Sequence, residues 1–163
     1  LGQLAGEGRG DRPLESVDYL VVSHTEPDHS GSVERLLELN PRLKIVATPC
    51  AIGFLKEIVN RDFYSIPVKD GQTLTLDDKT LEFIVVPNLH WPDTMYTYLR
   101  EDKILVTCDS FGSHYGFKGI LMSKVTDQEG YMRATKYYFD NIIGPFKHTC
   151  SKRWRRSKIW ISP

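Results

Sequence analysis

An α/β domain is predicted by three features of this 163-residue chain. Strand-like and helix-like segments alternate over residues 18–59, short strands separated by turn signals follow over 64–107, and a further amphipathic helix spans 128–143.

Each element has a local reason. Tyr19, Leu20, Val21 and Val22 form a continuous aromatic and aliphatic run, which reads as a buried strand over 18–23. Val33, Leu36, Leu37 and Leu39 recur at roughly helical spacing, and Asn40-Pro41 ends that helix. Residues 44–48 read as a second strand and 50–59 as a second helix, with Ile52, Leu55 and Val59 on one side. Short strands follow at 64–68, 73–76, 81–86, 95–99 and 103–107, punctuated by Lys69-Asp70-Gly71 and Asp77-Asp78, and together they read as an antiparallel meander. Tyr131, Ala134, Tyr138 and Ile142 share one face of a helix that stops at Gly144-Pro145.

Composition excludes the unusual classes. A hydrophobic share of 40% and a charged share of 26% argue against a disordered, collagenous or disulfide-stapled chain. No apolar run approaches the roughly 18 residues of a membrane helix. The Gly-rich lead-in over 1–13 lacks the apolar stretch of a secretory signal. Cys50, Cys108 and Cys150 are widely spaced, so neither a disulfide framework nor a cysteine zinc site is indicated, and a cytoplasmic setting is expected. Cys108, one residue before Asp109 at a strand end, is expected to face the opposite way, into a core. The net charge of zero is a sum of unlike parts: six of the 21 cations lie in residues 147–163, beyond the last acid, Asp140. That basic tail, with Trp154 and Trp160, reads as a solvated extension rather than a nucleic-acid surface.

Chemistry concentrates after the first strand, in Ser23-His24-Thr25-Glu26-Pro27-Asp28-His29-Ser30-Gly31. Two imidazoles and two carboxylates fall within six positions, and in an extended segment His24, Glu26 and Asp28 would converge on one side. His90, in Asn88-Leu89-His90-Trp91-Pro92-Asp93-Thr94, and Asp109, in Cys108-Asp109-Ser110-Phe111-Gly112, also follow strands. A single His or Asp in such a place is more often a packing residue or a helix cap. Bringing all six together without a metal would leave charges unpaired.

This pattern, His-x-Glu-x-Asp-His with a later His and Asp, resembles the metallo-β-lactamase superfamily and, through Glu26, its flavodiiron branch. Sixty residues separate His29 from His90, and 18 separate His90 from Asp109, in agreement with that pattern. The resemblance covers residues 14–147 and implies a metallo-β-lactamase-like αββα sandwich. It implies that His24, Glu26 and His90 hold one iron, that Asp28 and His29 hold a second, and that Asp109 bridges them. A carboxylate in place of an imidazole hardens the site and favours iron or manganese over zinc. It further implies reduction of dioxygen to water or of nitric oxide to nitrous oxide, with FMN on a flavodoxin-like domain that this chain lacks. The implied electron donor is a rubredoxin-like protein, a flavin reductase or NAD(P)H, and the implied assembly is a head-to-tail homodimer or tetramer. No membrane or nucleic-acid partner is expected.

The chain departs from the pattern at both ends. The family has strands before Asp18 and a further His ligand farther past Asp109 than the 54 residues that remain here, so a partial domain, truncated at both ends, is expected. Residues 148–163 match nothing in the family; His148 is a poor substitute for the missing ligand, and His114 reads as a supporting residue. Two other readings are open: a zinc-dependent hydrolase acting through a metal-activated water, and a non-catalytic remnant with a basic binding tail.

Overall fold

The computed structural model describes residues 13–119 and 121–146. Strand β1 (Tyr19–Val21) leads through a one-turn helix α1 (Pro27–Ser30) into α2 (Val33–Leu39). Strand β2 (Lys44–Ala47), helix α3 (Pro49–Ile58) and strand β3 (Tyr64–Pro67) follow. Strands β4 (Thr73–Leu76), β5 (Lys79–Val85), β6 (Met95–Leu99) and β7 (Ile104–Val106) precede helix α4 (Gln128–Tyr138).

Among the described residues these strands form two sheets, ordered β1-β2-β3 and β4-β5-β6-β7. The first is parallel, with Leu20 opposite Ile45 and Ile45 opposite Ser65. The second is antiparallel throughout. The strand at 64–68 therefore does not belong to the meander. Helix α3 returns the chain so that β3 runs beside β2 in the same direction, which is the pairing a helical crossover permits.

Alternation along β2 separates the layers. Ile45 and Ala47 join Leu37, Leu43, Ala51 and Leu55 in the core beneath α2 and α3. Val46, between them, faces the other way and packs with Leu81, Phe83 and Met95 of the second sheet. The far face of that sheet contributes Tyr96 to a third cluster with Val86, Leu89, Tyr138 and Ile143. The layer order is helices, sheet, sheet, helix: the expected αββα sandwich.

Helix α4 is capped by Asp127, whose side chain accepts from the Gly130 amide. It widens into a π-helical turn over Phe139–Ile143, where the sequence pattern predicts a continued α-helix. The wider turn places both Tyr138 and Ile143, five residues apart, in the same core cluster. No helix among the described residues is long and apolar enough to cross a membrane. All but the last residue of the lead-in over 1–13, together with His148 and the basic tail, lie outside the described residues.

Candidate metal centre

Three loops at strand ends supply the site. The first leaves β1 at Val21, and the Ser23 carbonyl accepts from the Met95 amide, tying this loop to the start of β6. His24 follows, almost wholly buried. Pro27 sits at the first position of α1, where its fixed φ suits a helix start, so Asp28 and His29 lie on a helical turn rather than an extended segment. The alternation expected for His24, Glu26 and Asp28 consequently ends at Glu26. Ser30 Oγ donates to the Thr25 carbonyl at 2.8 Å and closes the turn from inside. A β-carbon at Gly31 would stand 2.6 Å from the Pro27 carbonyl oxygen. Gly31→Ala should open this turn and cost about 1–3 kcal/mol, read as a lower urea midpoint.

The second loop carries His90 beyond β5. Asn88 takes a left-handed φ of 66°, which Asn tolerates, and its amide donates to the Trp91 carbonyl. Thr94 Oγ1 donates to the same carbonyl at 2.8 Å and accepts from the Trp91 amide at 3.1 Å. Thr48 Oγ1 donates to the Asp93 carbonyl, joining this loop to the start of α3. The third loop turns at Cys108–Phe111 after β7. There Tyr96 donates its hydroxyl to Ser110 Oγ at 2.6 Å, which fixes the turn bearing Asp109.

These loops converge on one oxygen. Asp109 Oδ2 lies 3.5 Å from His24 Nε2, 3.2 Å from His29 Nε2 and 3.4 Å from His90 Nε2. Glu26 Oε2 lies 3.2 Å from the Nε2 of both His24 and His90. Asp28 is farther out: its Oδ2 is 3.6 Å from His29 Nε2, and its side chain is 72% exposed. His24, Glu26, His90 and Asp109 form one group able to hold a metal ion, and His24, His29, Cys108 and Asp109 another.

The donor set fits metal. Direct charge-assisted hydrogen bonds would draw such pairs to about 2.7–2.9 Å. Donors placed about 2.0–2.2 Å from a shared ion stand roughly 3.0–3.5 Å apart, and the contacts of Glu26 and Asp109 with the three imidazoles fall at 3.2–3.5 Å. Three imidazoles also exceed what the lone pairs of one carboxylate oxygen accept, so a cation among them answers the geometry better than protons do.

Cys108 departs from its expected orientation. The regular strand ends at Val106, and Cys108 adopts a left-handed φ of 53°, so the alternation argument does not reach it. Its sulfur lies 2.8 Å from His24 Nδ1, on the site side. Burial, reinforced by Asp109, pushes its thiol up to about 12. Burial, then Asp109 and Glu26, likewise pushes the Tyr138 hydroxyl up to about 12, so it remains protonated beside the carboxylates. The His114 ring meets Tyr138 edge-on at 5.0 Å. Cys108, Tyr96, Ser110 and Tyr138 were not legible as site residues, because each arrives through tertiary packing rather than through spacing.

The model of the ODP family beta lactamase matches residues 10–156. The chain belongs to that family. It is 42% identical over 134 residues to the flavo-diiron protein FprA2 of Clostridium acetobutylicum, covering 81% of this chain and 34% of that one. It is 45% identical over 135 residues to diflavin flavoprotein A 1 of Synechocystis, covering 80% of this chain and 22% of that one. The crystal structure of the flavodiiron protein from Giardia intestinalis superposes with a TM-score of 0.82 at 34% identity, over 88% of this chain and 35% of that one. The rubredoxin oxygen:oxidoreductase of Desulfovibrio gigas also gives 0.82, at 28% identity, over 88% and 36%. This ODP chain therefore has the metallo-β-lactamase-like fold of flavodiiron proteins and spans about a fifth to a third of these relatives' lengths.

Proposed function

We propose that this ODP chain is the diiron-binding part of a flavodiiron-type oxidoreductase that reduces dioxygen, nitric oxide or both. A single carboxylate oxygen of Asp109 stands among three imidazole Nε2 atoms, with Glu26 in place of a further imidazole, and this arrangement suits a pair of irons. His24, Glu26, His90 and Asp109 would hold one iron; Asp28, His29 and Asp109 would hold the other. Two ferrous ions held there would supply two of the electrons needed, enough to take two nitric oxide molecules to nitrous oxide, and the other two that dioxygen needs to reach water would come from the reduced flavin.

The chain's residues prepare that chemistry. Glu26 and Asp109 set two carboxylates against the buried His24 and so place anionic charge where oxidised iron is favoured. Trp91 meets the His24 imidazole edge-on, with ring centroids 6.1 Å apart. The Thr94 and Ser110 hydrogen bonds hold the loops of His90 and Asp109 in place without occupying their ligand atoms. FMN, on a domain outside this chain, is the implied source of electrons, and a rubredoxin-like protein, a flavin reductase or NAD(P)H the implied donor. A head-to-tail homodimer or tetramer would bring such a flavin to the irons. A cytoplasmic location accords with this chemistry. Glu26 weighs against the zinc-hydrolase reading, because it makes the donor set harder than zinc sites usually use.

Anaerobic reconstitution with ferrous iron tests the proposal. The expected result is two irons per chain, with slow dioxygen or nitric oxide consumption when a chemical reductant is supplied. Failure to bind iron, or zinc-dependent lactam or thioester hydrolysis, would overturn it.

A further inference from the structure

The imidazoles of His24 and His29 share an orientation that the metal ligands alone do not explain. Each presents Nε2 to Asp109 Oδ2, at 3.5 and 3.2 Å, and each presents Nδ1 to the sulfur of Cys108, at 2.8 and 4.0 Å. The rings lie 4.3 Å apart between centroids and are tilted by 52°, with the carboxylate at one edge and the thiol at the other.

An imidazole nitrogen that ligates a metal carries no proton, so the other nitrogen of a neutral ring must carry it. His24 is 1% exposed, and its N–H requires a partner inside the protein. Sγ of Cys108 is the atom that faces it.

We infer that Cys108 is a positioning residue of the metal centre: its sulfur accepts the Nδ1–H of His24, fixes that tautomer, and aims the Nε2 lone pair at the ion. Its hold on His29, at 4.0 Å, is looser. The inference rests on the metal-binding reading above and adds to it a residue outside the ligand set. The left-handed backbone at Cys108 is part of the device, since that conformation accompanies a side chain facing the imidazoles instead of a core.

The test compares the 163-residue chain with its Cys108→Ala and Cys108→Ser variants; both replacements are unbranched at the β-carbon and meet the left-handed backbone much as cysteine does. Zinc affinity is measured by competition with a chromophoric chelator, and the His24 tautomer by nitrogen-15 NMR of the zinc-loaded protein. Cys108→Ala is expected to bind zinc about 10–100-fold more weakly, as outer-shell losses do. Serine should recover much of that loss, because its hydroxyl accepts the same bond. The His24 Nδ1–H resonance should be protected in the parent and in the serine variant and lost to exchange in the alanine variant. Equal affinities, or equal weakening by Ala and Ser with an unchanged resonance, would overturn the inference. So would a sulfur-to-cobalt charge-transfer band in the cobalt-loaded parent, which would make Cys108 a ligand. A parent chain that binds neither zinc nor cobalt would instead overturn the metal centre itself.

Discussion

Asp109→Ala should strip the reconstituted chain of iron, taking it from two ions to none detectable by colorimetric iron analysis. Asp109 Oδ2 stands within 3.5 Å of all three Nε2 atoms, so both proposed positions depend on it. The contrast is Asp28→Ala. That carboxylate is exposed and approaches one imidazole, at 3.6 Å, so its loss should remove at most the second iron and leave the first. Equal losses in the two variants would mean that Asp109 has no special place in the site.

Phe83→Ala should have the largest effect on folding, a loss of about 3–5 kcal/mol, seen as a lowered midpoint in urea denaturation. Phe83 is fully buried where the two sheets meet, against Val46 and Met95. The consequence reaches the metal centre. His24, Glu26 and His29 follow a strand of the parallel sheet, while His90 and Asp109 follow strands of the antiparallel sheet. The site therefore exists only while the sheets stay in register, and Phe83→Ala should also weaken metal binding. A variant as stable as the parent would show that the interface is not held by this ring.

Much of this arrangement is legible in the amino-acid sequence. The strands at 73–76 and 95–99 are recovered with the same bounds, because Asp77-Asp78 and the Pro-containing loop before Met95 punctuate them. The six ligand candidates stand out because their density has few other uses, and the structure brings three of them, His24, His29 and His90, to within 3.5 Å of Glu26 or Asp109, with Asp28 at the margin. What escapes is whatever depends on partners distant in sequence. Residues 64–67 look like any short strand, and only pairing with β2 places them in the parallel sheet. Asp28 obeys the helix-starting preference of Pro27 over strand alternation. Cys108 lies just past the end of β7, where one left-handed residue is enough to reverse a side chain.

In the proposed site one carboxylate, Asp109, joins two metals. Anomalous scattering at the iron edge, from crystals of the iron-loaded chain, would locate both. The expected map has two peaks flanking the Asp109 carboxylate, one beside Glu26 and His90 and the other beside His29. A single peak, or a pair that does not share Asp109, would contradict it.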